Sequence, residues 1–328
     1  MIYSVIIAGG KGERFWPFST RENPKQLLRL FSDKTMLEDT IDRVAELVPR
    51  EQTLIVTGEN IKTQILNQHD GIKEGNVLAE PFGKNTCMAV GFAAAHLYKK
   101  DPQAVMVVLS ADHFIKPKER LIDILRYATR LAERDDILIT IGINPTRPET
   151  GYGYIELGET YDSSEGLTSF RVKQFKEKPN RTLAQQYYIG RMHMWNSGMF
   201  IWSAKAILGA LAKCKPEMHQ LLMDYMKKIG TPEEAKARLQ MFEKAEGVSI
   251  DVGVLEGASN VVVIKADLIW DDIGSWLALE RISPKDRDNN VTIGDTVLHE
   301  SFEITAVNSG GGILATLGVS DLVIVKTG

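Results

Sequence analysis

Cysteine is scarce: the 328 residues contain two, Cys87 and Cys214. Two distant cysteines build neither a zinc cluster nor a disulfide framework, so a reducing, cytoplasmic setting is expected. An excess of basic charge is also lacking. Thirty-nine Lys and Arg stand against 43 Asp and Glu, a net charge of −4. Bulk attraction to nucleic acid is therefore not expected, and any phosphate recognition has to be local. No apolar run reaches the ~18 residues that span a bilayer, so no membrane partner is expected. The start, MIYSVIIAGGKG, lacks the basic segment and long apolar core of a secretory leader. What remains is ordinary globular material, 44% hydrophobic and 25% charged. It is long enough for one large domain or two smaller ones.

Short β-branched runs alternate with amphipathic stretches. Residues 4–8 (SVIIA), 53–57 (TLIVT), 104–110 (AVMVVLS) and 137–143 (ILITIGI) read as buried strands. Between them, 36–48, 85–100 and 118–133 carry helical periodicity. Thr35 and Glu38 are placed to form a capping box at the first helix. Uninterrupted apolar strands alternating with helices predict an α/β fold: a Rossmann-like, mostly parallel mixed sheet flanked by helices. Ligands on such sheets bind beyond the carboxyl ends of the strands, here after Ala8 and after Ser110. Further on, 151–158 and 167–176 alternate like antiparallel strands. Residues 205–226 and 232–245 read as helical, and 261–265 (VVVIK) as a strand. The polar SPKDRDNN at 283–290 marks a boundary. It separates a catalytic domain, 1–282, from a small C-terminal all-β domain, 291–328. The tail's short β runs are too few to establish a repeat. A small β tail suits a subunit contact and is compatible with a homodimer, although the sequence does not reveal the oligomeric state. The chain stops at VIVKTG inside a strand pattern, so the natural protein is expected to run slightly further.

The segment Gly9-Gly10-Lys11-Gly12-Glu13-Arg14-Phe15-Trp16-Pro17 directly follows the first strand. Glycines there let backbone N–H groups approach phosphate oxygens. Lys11, Arg14 and, shortly after, Lys25 in Pro-Lys-Gln add positive charge. A Walker-type loop would require Gly-Lys-Ser/Thr, which is missing, and a dinucleotide G-x-G-x-x-G fails at Phe15. A plain strand-to-helix turn explains the glycines but not the flanking cations.

GGKGERFWP followed by PKQ resembles the signature of the sugar-nucleotide pyrophosphorylases. Further motifs follow in that family's order: SADH at 110–113, FKEKP at 175–179, NSG at 196–198 and WDDIGSW at 270–276. The resemblance covers about residues 1–280. It implies a nucleotide-diphospho-sugar transferase type of fold with a small β-helix-like C-terminal domain. It also implies that Ala8, Gly9, Gly10, Lys11 and Gly12 wrap the triphosphate, and that Arg14 and Lys25 contact the reacting phosphates. Asp112 and Asp272 are implied as ligands of Mg2+, with Asp271 facing away. Glu177 is assigned to sugar hydroxyls and Lys178 to the sugar phosphate, with Gly153 and Asn196 beside them. Asp251, in Ser249-Ile250-Asp251, resembles part of the mannose branch with a less defined role.

Glu80, Pro81 and Asn85 form a loop after a short strand at 77–79. This loop reads either as an ordinary turn with Asn85 capping the next helix, or as a base pocket. In the second reading Glu80 accepts from guanine N1–H and the 2-amino group, donors that thymine and uracil do not pair in this way. Adjacent strand residues face opposite ways, so Glu177 and Lys178 are not expected to be two surface residues of one face.

The implied reaction joins GTP and mannose 1-phosphate, giving GDP-mannose and pyrophosphate. The sugar phosphate is already an anion, so positioning and charge neutralisation suffice and no general base is required. Two other readings are kept: the same chemistry on another sugar or base, and a catalytically silent sugar-nucleotide-binding regulatory subunit.

Overall fold

The structure is a computed structural model. It describes residues 1–10, 12–20, 22–68 and 71–327. The chain divides into two compact units. The first comprises Met1–Gly9, Glu38–Ala111 and Ile115–Ile269; the second comprises Gly10–Leu37, Asp112–Phe114 and Trp270–Gly328.

The first unit is built on nine strands among the described residues. They are β1 (Ile2–Ala8), β2 (Thr53–Gly58), β3 (Val77–Glu80), β4 (Val105–Ser110), β5 (Leu138–Ile143), β6 (Tyr154–Ser164), β7 (Leu167–Lys176), β8 (His193–Ser203) and β9 (Val261–Ala266). Their order is β3-β2-β1-β4-β8-β5-β9-β7-β6. β1 pairs parallel with β2 and β4, and β2 with β3. β8 runs antiparallel between β4 and β5, while β9 returns parallel to β5. The parallel strands are buried along nearly their whole length. That is why they read as unbroken apolar runs rather than as alternation. The order reverses at β1, which places the ends of β1 and β4 at a switch point of the topology.

Helices cover the sheet, in chain order α1 (Met36–Val44), α2 (Glu59–Gln68), α3 (Asn85–Lys100), α4 (Lys118–Arg134), α5 (Arg181–Gly190), α6 (Ala204–Cys214), α7 (Pro216–Met226) and α8 (Glu234–Lys244). In α4 (Lys118–Arg134) the buried residues Leu121, Ile122, Leu125, Ala128, Leu131 and Ala132 recur at helical spacing and form its inner stripe. Each fully buried Leu or Ile contributes about 1.5–3 kcal/mol. α3 (Asn85–Lys100), α6 (Ala204–Cys214), α7 (Pro216–Met226) and α8 (Glu234–Lys244) contribute Met88, Phe92, Leu211, Leu222 and Phe242 to one core.

Several local expectations are corrected. The helix expected over 36–48 ends at Val44, where Leu47 and Val48 both donate to the Val44 carbonyl in a closing turn. The helix expected over 205–226 is two helices. Pro216 has no N–H to continue the first and instead opens the second. The strand expected at 151–158 is Tyr154–Ser164. Strand β8 and the helices Glu59–Gln68 and Arg181–Gly190 are additional to the elements that the sequence predicts.

In the second unit the tail is a stack of parallel strands. Val291–Ile293, Thr305–Asn308 and Val323–Lys326 pair in parallel, as do Thr296–His299 and Leu314–Leu317. Parallel pairing of successive short strands is the pattern of a β-helix. Buried asparagines tie its turns. Asn290 donates to the Ser301 carbonyl and accepts from Ile304 N–H, and Asn308 donates to the Asp295 and Gly312 carbonyls. The tail also shares an apolar cluster with the N-terminal loop: Val307, Ile293 and Val325 belong with Phe15, Leu28, Ile273 and Trp276.

Candidate active site

The expected site residues fall into a phosphate group in the second unit and a base and sugar group in the first.

In the phosphate group, Gly10 and Gly12 have φ of 100° and 61°, a left-handed conformation that suits glycine. At Gly12 space decides as well: a Cβ would lie 2.7 Å from Lys25 Cβ and 2.7 Å from Ser19 Oγ. The loop therefore folds directly onto Lys25. A short turn, Glu13–Phe15, buries Phe15 and leaves Arg14 exposed. Trp276 supports this turn, donating its indole N–H to the Trp16 carbonyl at 3.1 Å and packing on Phe15 and Phe18. No motif predicts this supporting role. Its one sequence signal is the trailing Trp of WDDIGSW. Lys11 lies outside the described residues.

Lys25 is 7% exposed. Its ammonium donates to Asp112 Oδ2 at 2.7 Å and to the Asp272 backbone carbonyl at 3.1 Å. Oxygen donors from both aspartates thus converge on one cationic atom, and a hard divalent cation takes the same kind of donor. Among the described residues no cluster of three or more His, Cys, Asp or Glu forms a closed metal cage. The donor set fits a divalent ion that completes its shell with water and ligand oxygens. Asp271 is buried, and Arg281 donates to both of its carboxylate oxygens at 2.6 and 2.8 Å. It is committed to structure. His113 accepts from Trp270 Nε1 at 3.3 Å and packs edge-on against that ring.

In the base group, Glu80 ends β3 and is 7% exposed. Among the described residues its Oε1 is fully buried with no hydrogen-bond partner. Burial pushes the carboxyl up to about 7. The group sits beside Gly9, where a Cβ would lie 4.0 Å from Glu80 Oε2, and Ala8 is buried in the strand before it. Pro81 follows, half-buried. Asn85 does not cap α3. It is the first helical residue, with a left-handed φ of 67°, and Lys84 holds the cap position. Its side-chain oxygen accepts from Thr86 N–H at 2.8 Å.

The sugar group gathers at the ends of β6, β7 and β8. A Cβ on Gly153 would lie 2.7 Å from Glu177 Oε2, so glycine there makes room for that carboxylate. Gly153 also accepts from Asn196 N–H through its carbonyl at 2.8 Å. Glu177 and Lys178 lie past the end of β7 rather than on it, so strand alternation does not govern them. Their side chains pair at 2.9 Å, and Lys178 has a left-handed φ of 44°. Asn196 donates from Nδ2 to Asp251 Oδ1 at 2.8 Å. Asp251 opens a wide helical turn, Asp251–Leu255. That turn is tied to α3 by Ile250 N–H donating to Thr86 Oγ1 and Cys87 N–H donating to the Val248 carbonyl. Burial of the Asp251 carboxyl, then the nearby charge of Glu177, raises it to about 6.

The second unit thus sets Lys25 among oxygens of Asp112 and Asp272, and the first holds the buried Glu80 carboxyl and the Asn196–Asp251 pair. The family model described as Nucleotidyl transferase matches residues 3–289. The chain belongs to the nucleotidyl transferase family. Among its relatives, the mannose-1-phosphate guanylyltransferase of Klebsiella pneumoniae is 37% identical over 330 residues, covering 100% of this chain and 69% of that protein. An enzyme of the same name from Escherichia coli K12 is also 37% identical, with 99% and 69% covered. A crystal structure from Thermus thermophilus, described as a mannose-1-phosphate geranyltransferase, superposes with a TM-score of 0.89 at 34% identity. It covers 100% of this chain and 92% of its own. A Bacillus anthracis protein described as a glucose-1-phosphate thymidylyltransferase, at 16% identity and a TM-score of 0.52, shares the fold. No described helix of this nucleotidyl transferase is long and apolar enough to cross a membrane.

Proposed function

We propose that this nucleotidyl transferase moves the guanylyl group of GTP to mannose 1-phosphate, forming GDP-mannose and releasing pyrophosphate. The observation that carries the guanine assignment is Glu80, a buried carboxyl whose Oε1 lacks a partner among the described residues. Guanine offers two adjacent donors, N1–H and the 2-amino group, to such an acceptor. Adenine would set a ring lone pair against it, so discrimination includes repulsion. Similarity along essentially this whole chain, and 69% of theirs, to enzymes named mannose-1-phosphate guanylyltransferase supports mannose as the sugar.

The sugar phosphate oxygen attacks the α-phosphorus in line, and the bond to the leaving pyrophosphate breaks on the opposite side. Arg14 and Lys25 neutralise charge on the α-phosphate and leaving group. Lys178 aligns the nucleophilic phosphate, while Glu177 and Asn196 hold sugar hydroxyls, with Gly153 and Asp251 supporting them. Gly9, Gly10, Lys11 and Gly12 cradle the triphosphate, and Pro81 and Asn85 border the base. Asp112 and Asp272 would hold Mg2+, which would supply charge neutralisation to the substrate phosphates. The ammonium of Lys25, bound to Asp112, exchanges part of that contact for phosphate when substrate arrives. We assign catalysis to 1–282 and a supporting role, with self-association as a dimer, to 291–328. Two unpaired cysteines favour a reducing, cytoplasmic location.

The test is a matrix of GTP, ATP, UTP and dTTP against mannose, glucose and galactose 1-phosphates, followed by pyrophosphate release. GTP with mannose 1-phosphate is expected to dominate. A clear preference for another pair would overturn the assignment, and no turnover with any pair would favour a silent binding protein.

A further inference from the structure

Asn196 carries both a donor and an acceptor on one amide, and sequence alone leaves open which it shows to a ligand. Its neighbours decide. Thr140, fully buried on β5, donates its hydroxyl to Asn196 Oδ1 at 2.7 Å. Gly198 N–H points at the same oxygen from 3.5 Å. On the other side Asp251 Oδ1 takes one Nδ2 hydrogen at 2.8 Å. Turning the amide over would set its NH2 against the Gly198 N–H and its carbonyl against the Asp251 carboxylate. Both contacts would be repulsive, so the network permits one orientation. The two lone pairs of Oδ1 are then engaged by Thr140 and Gly198. What remains unspent is the second Nδ2 hydrogen.

The sheet makes this arrangement possible. β5 and β8 are antiparallel, and their register shifts between Thr140 and Gly142, so that Gly142 pairs with Asn196 and Thr140 with Phe200. The shift lets the Thr140 hydroxyl reach a side chain four positions from its pairing partner.

We infer that Thr140 is a positioning residue, fixing the Asn196 amide so that it offers an N–H, and not a carbonyl, to an oxygen of the bound sugar. This deepens the proposed function and rests on its reading that Asn196 faces the sugar. Thr140 touches no substrate itself. It acts by making the sugar hydroxyl at that position an acceptor.

The experiment combines variants of the full chain with sugar analogues. Thr140→Val keeps the shape and removes the donor. It is expected to raise KM for mannose 1-phosphate about three- to tenfold, leave KM for GTP unchanged, and be rescued by Thr140→Ser. In the unaltered protein, deoxy and deoxyfluoro mannose 1-phosphates are compared at each ring position. At the position where Asn196→Ala loses discrimination, fluorine, which accepts but cannot donate, should be tolerated better than hydrogen. A fluoro analogue as poor as the deoxy one there would overturn the inference. So would Thr140→Val with a normal KM alongside a raised KM in Asn196→Ala. If both KM values rise together and Ser fails to rescue, Thr140 is only structural. If Asn196→Ala itself leaves the sugar KM unchanged, the reading of Asn196 falls and takes the inference with it.

Discussion

In the first unit, Glu80 and Asp251 are carboxyl groups held out of water, pushed up to about 7 and about 6 chiefly by burial. In the second, Asp112 lies 2.7 Å from the ammonium of Lys25. The two regions handle charge in opposite ways, and the ligands proposed for them explain why. Base and sugar are neutral and offer N–H and O–H donors. A desolvated carboxyl discriminates strongly among such groups, because a lost partner leaves it stranded. Phosphates and a metal ion are charged, and there charges of both signs have to stand ready and exchange partners as substrate binds.

The comparison breaks first at the phosphate group. Asp272→Asn, and likewise Asp112→Asn, is expected to lower kcat roughly 10²- to 10³-fold and to blunt the dependence on added Mg2+. Wild-type turnover across a Mg2+ titration would remove both from the metal site. Lys25→Ala should cost about 10²-fold, mostly in kcat, because the charge it meets develops in the transition state. A rise in KM alone, measured by steady-state kinetics, would make it a binding residue.

Glu80→Gln sharpens the other half. The ratio of kcat/KM for GTP to that for UTP should fall about tenfold or more, with the fold intact. The same variant carries a stability signature. The folded value of Glu80 lies above its ordinary value of 4.5. The stability it contributes is therefore full below that value and lost as pH rises through about 7. Denaturant melts from about pH 5 to about pH 8 should show Glu80→Gln gaining on wild type by at most roughly 3 kcal/mol. A constant difference would mean the carboxyl is not desolvated in solution.

Smaller effects test the supports. Gly153→Ala should push Glu177 aside and raise KM for mannose 1-phosphate about tenfold, leaving GTP binding intact. Separate titration of the two ligands checks it. Trp276→Phe removes the indole donor to the Trp16 carbonyl and should cost about 1 kcal/mol, a fall in melting temperature of a few degrees. An unchanged melt would assign the loop's support to ring packing alone.

Most of the motifs were legible because they sit where a strand ends and a fixed backbone conformation is needed. Gly12 must be glycine for Lys25 to fit beneath it. The parallel strands were legible because burial on both faces leaves no alternation to misread. Strand β8 was not, since its apolar and aromatic residues are interrupted by Asn-Ser-Gly in the middle. Such a run is compatible with several conformations until neighbours fix it. The strand-alternation argument for Glu177 and Lys178 failed because the strand stops at Lys176, just before them.

The sequence by itself determined the chemistry that the chain carries: glycines, cations and acids in a fixed order beyond apolar strands. These are local properties of side chains and turn conformations. Tertiary structure decided how those groups are used. It put Lys25 on Asp112, committed Asp271 to Arg281, and left a buried Glu80 oxygen without a partner among the described residues. It set Thr140 against Asn196, and the tail's Val307 in one cluster with Phe15. Apart from the Asp271–Arg281 pair, those outcomes depend on contacts between residues far apart in the chain. Burial and hydrogen-bond partners are properties of such contacts, and no local sequence pattern encodes them.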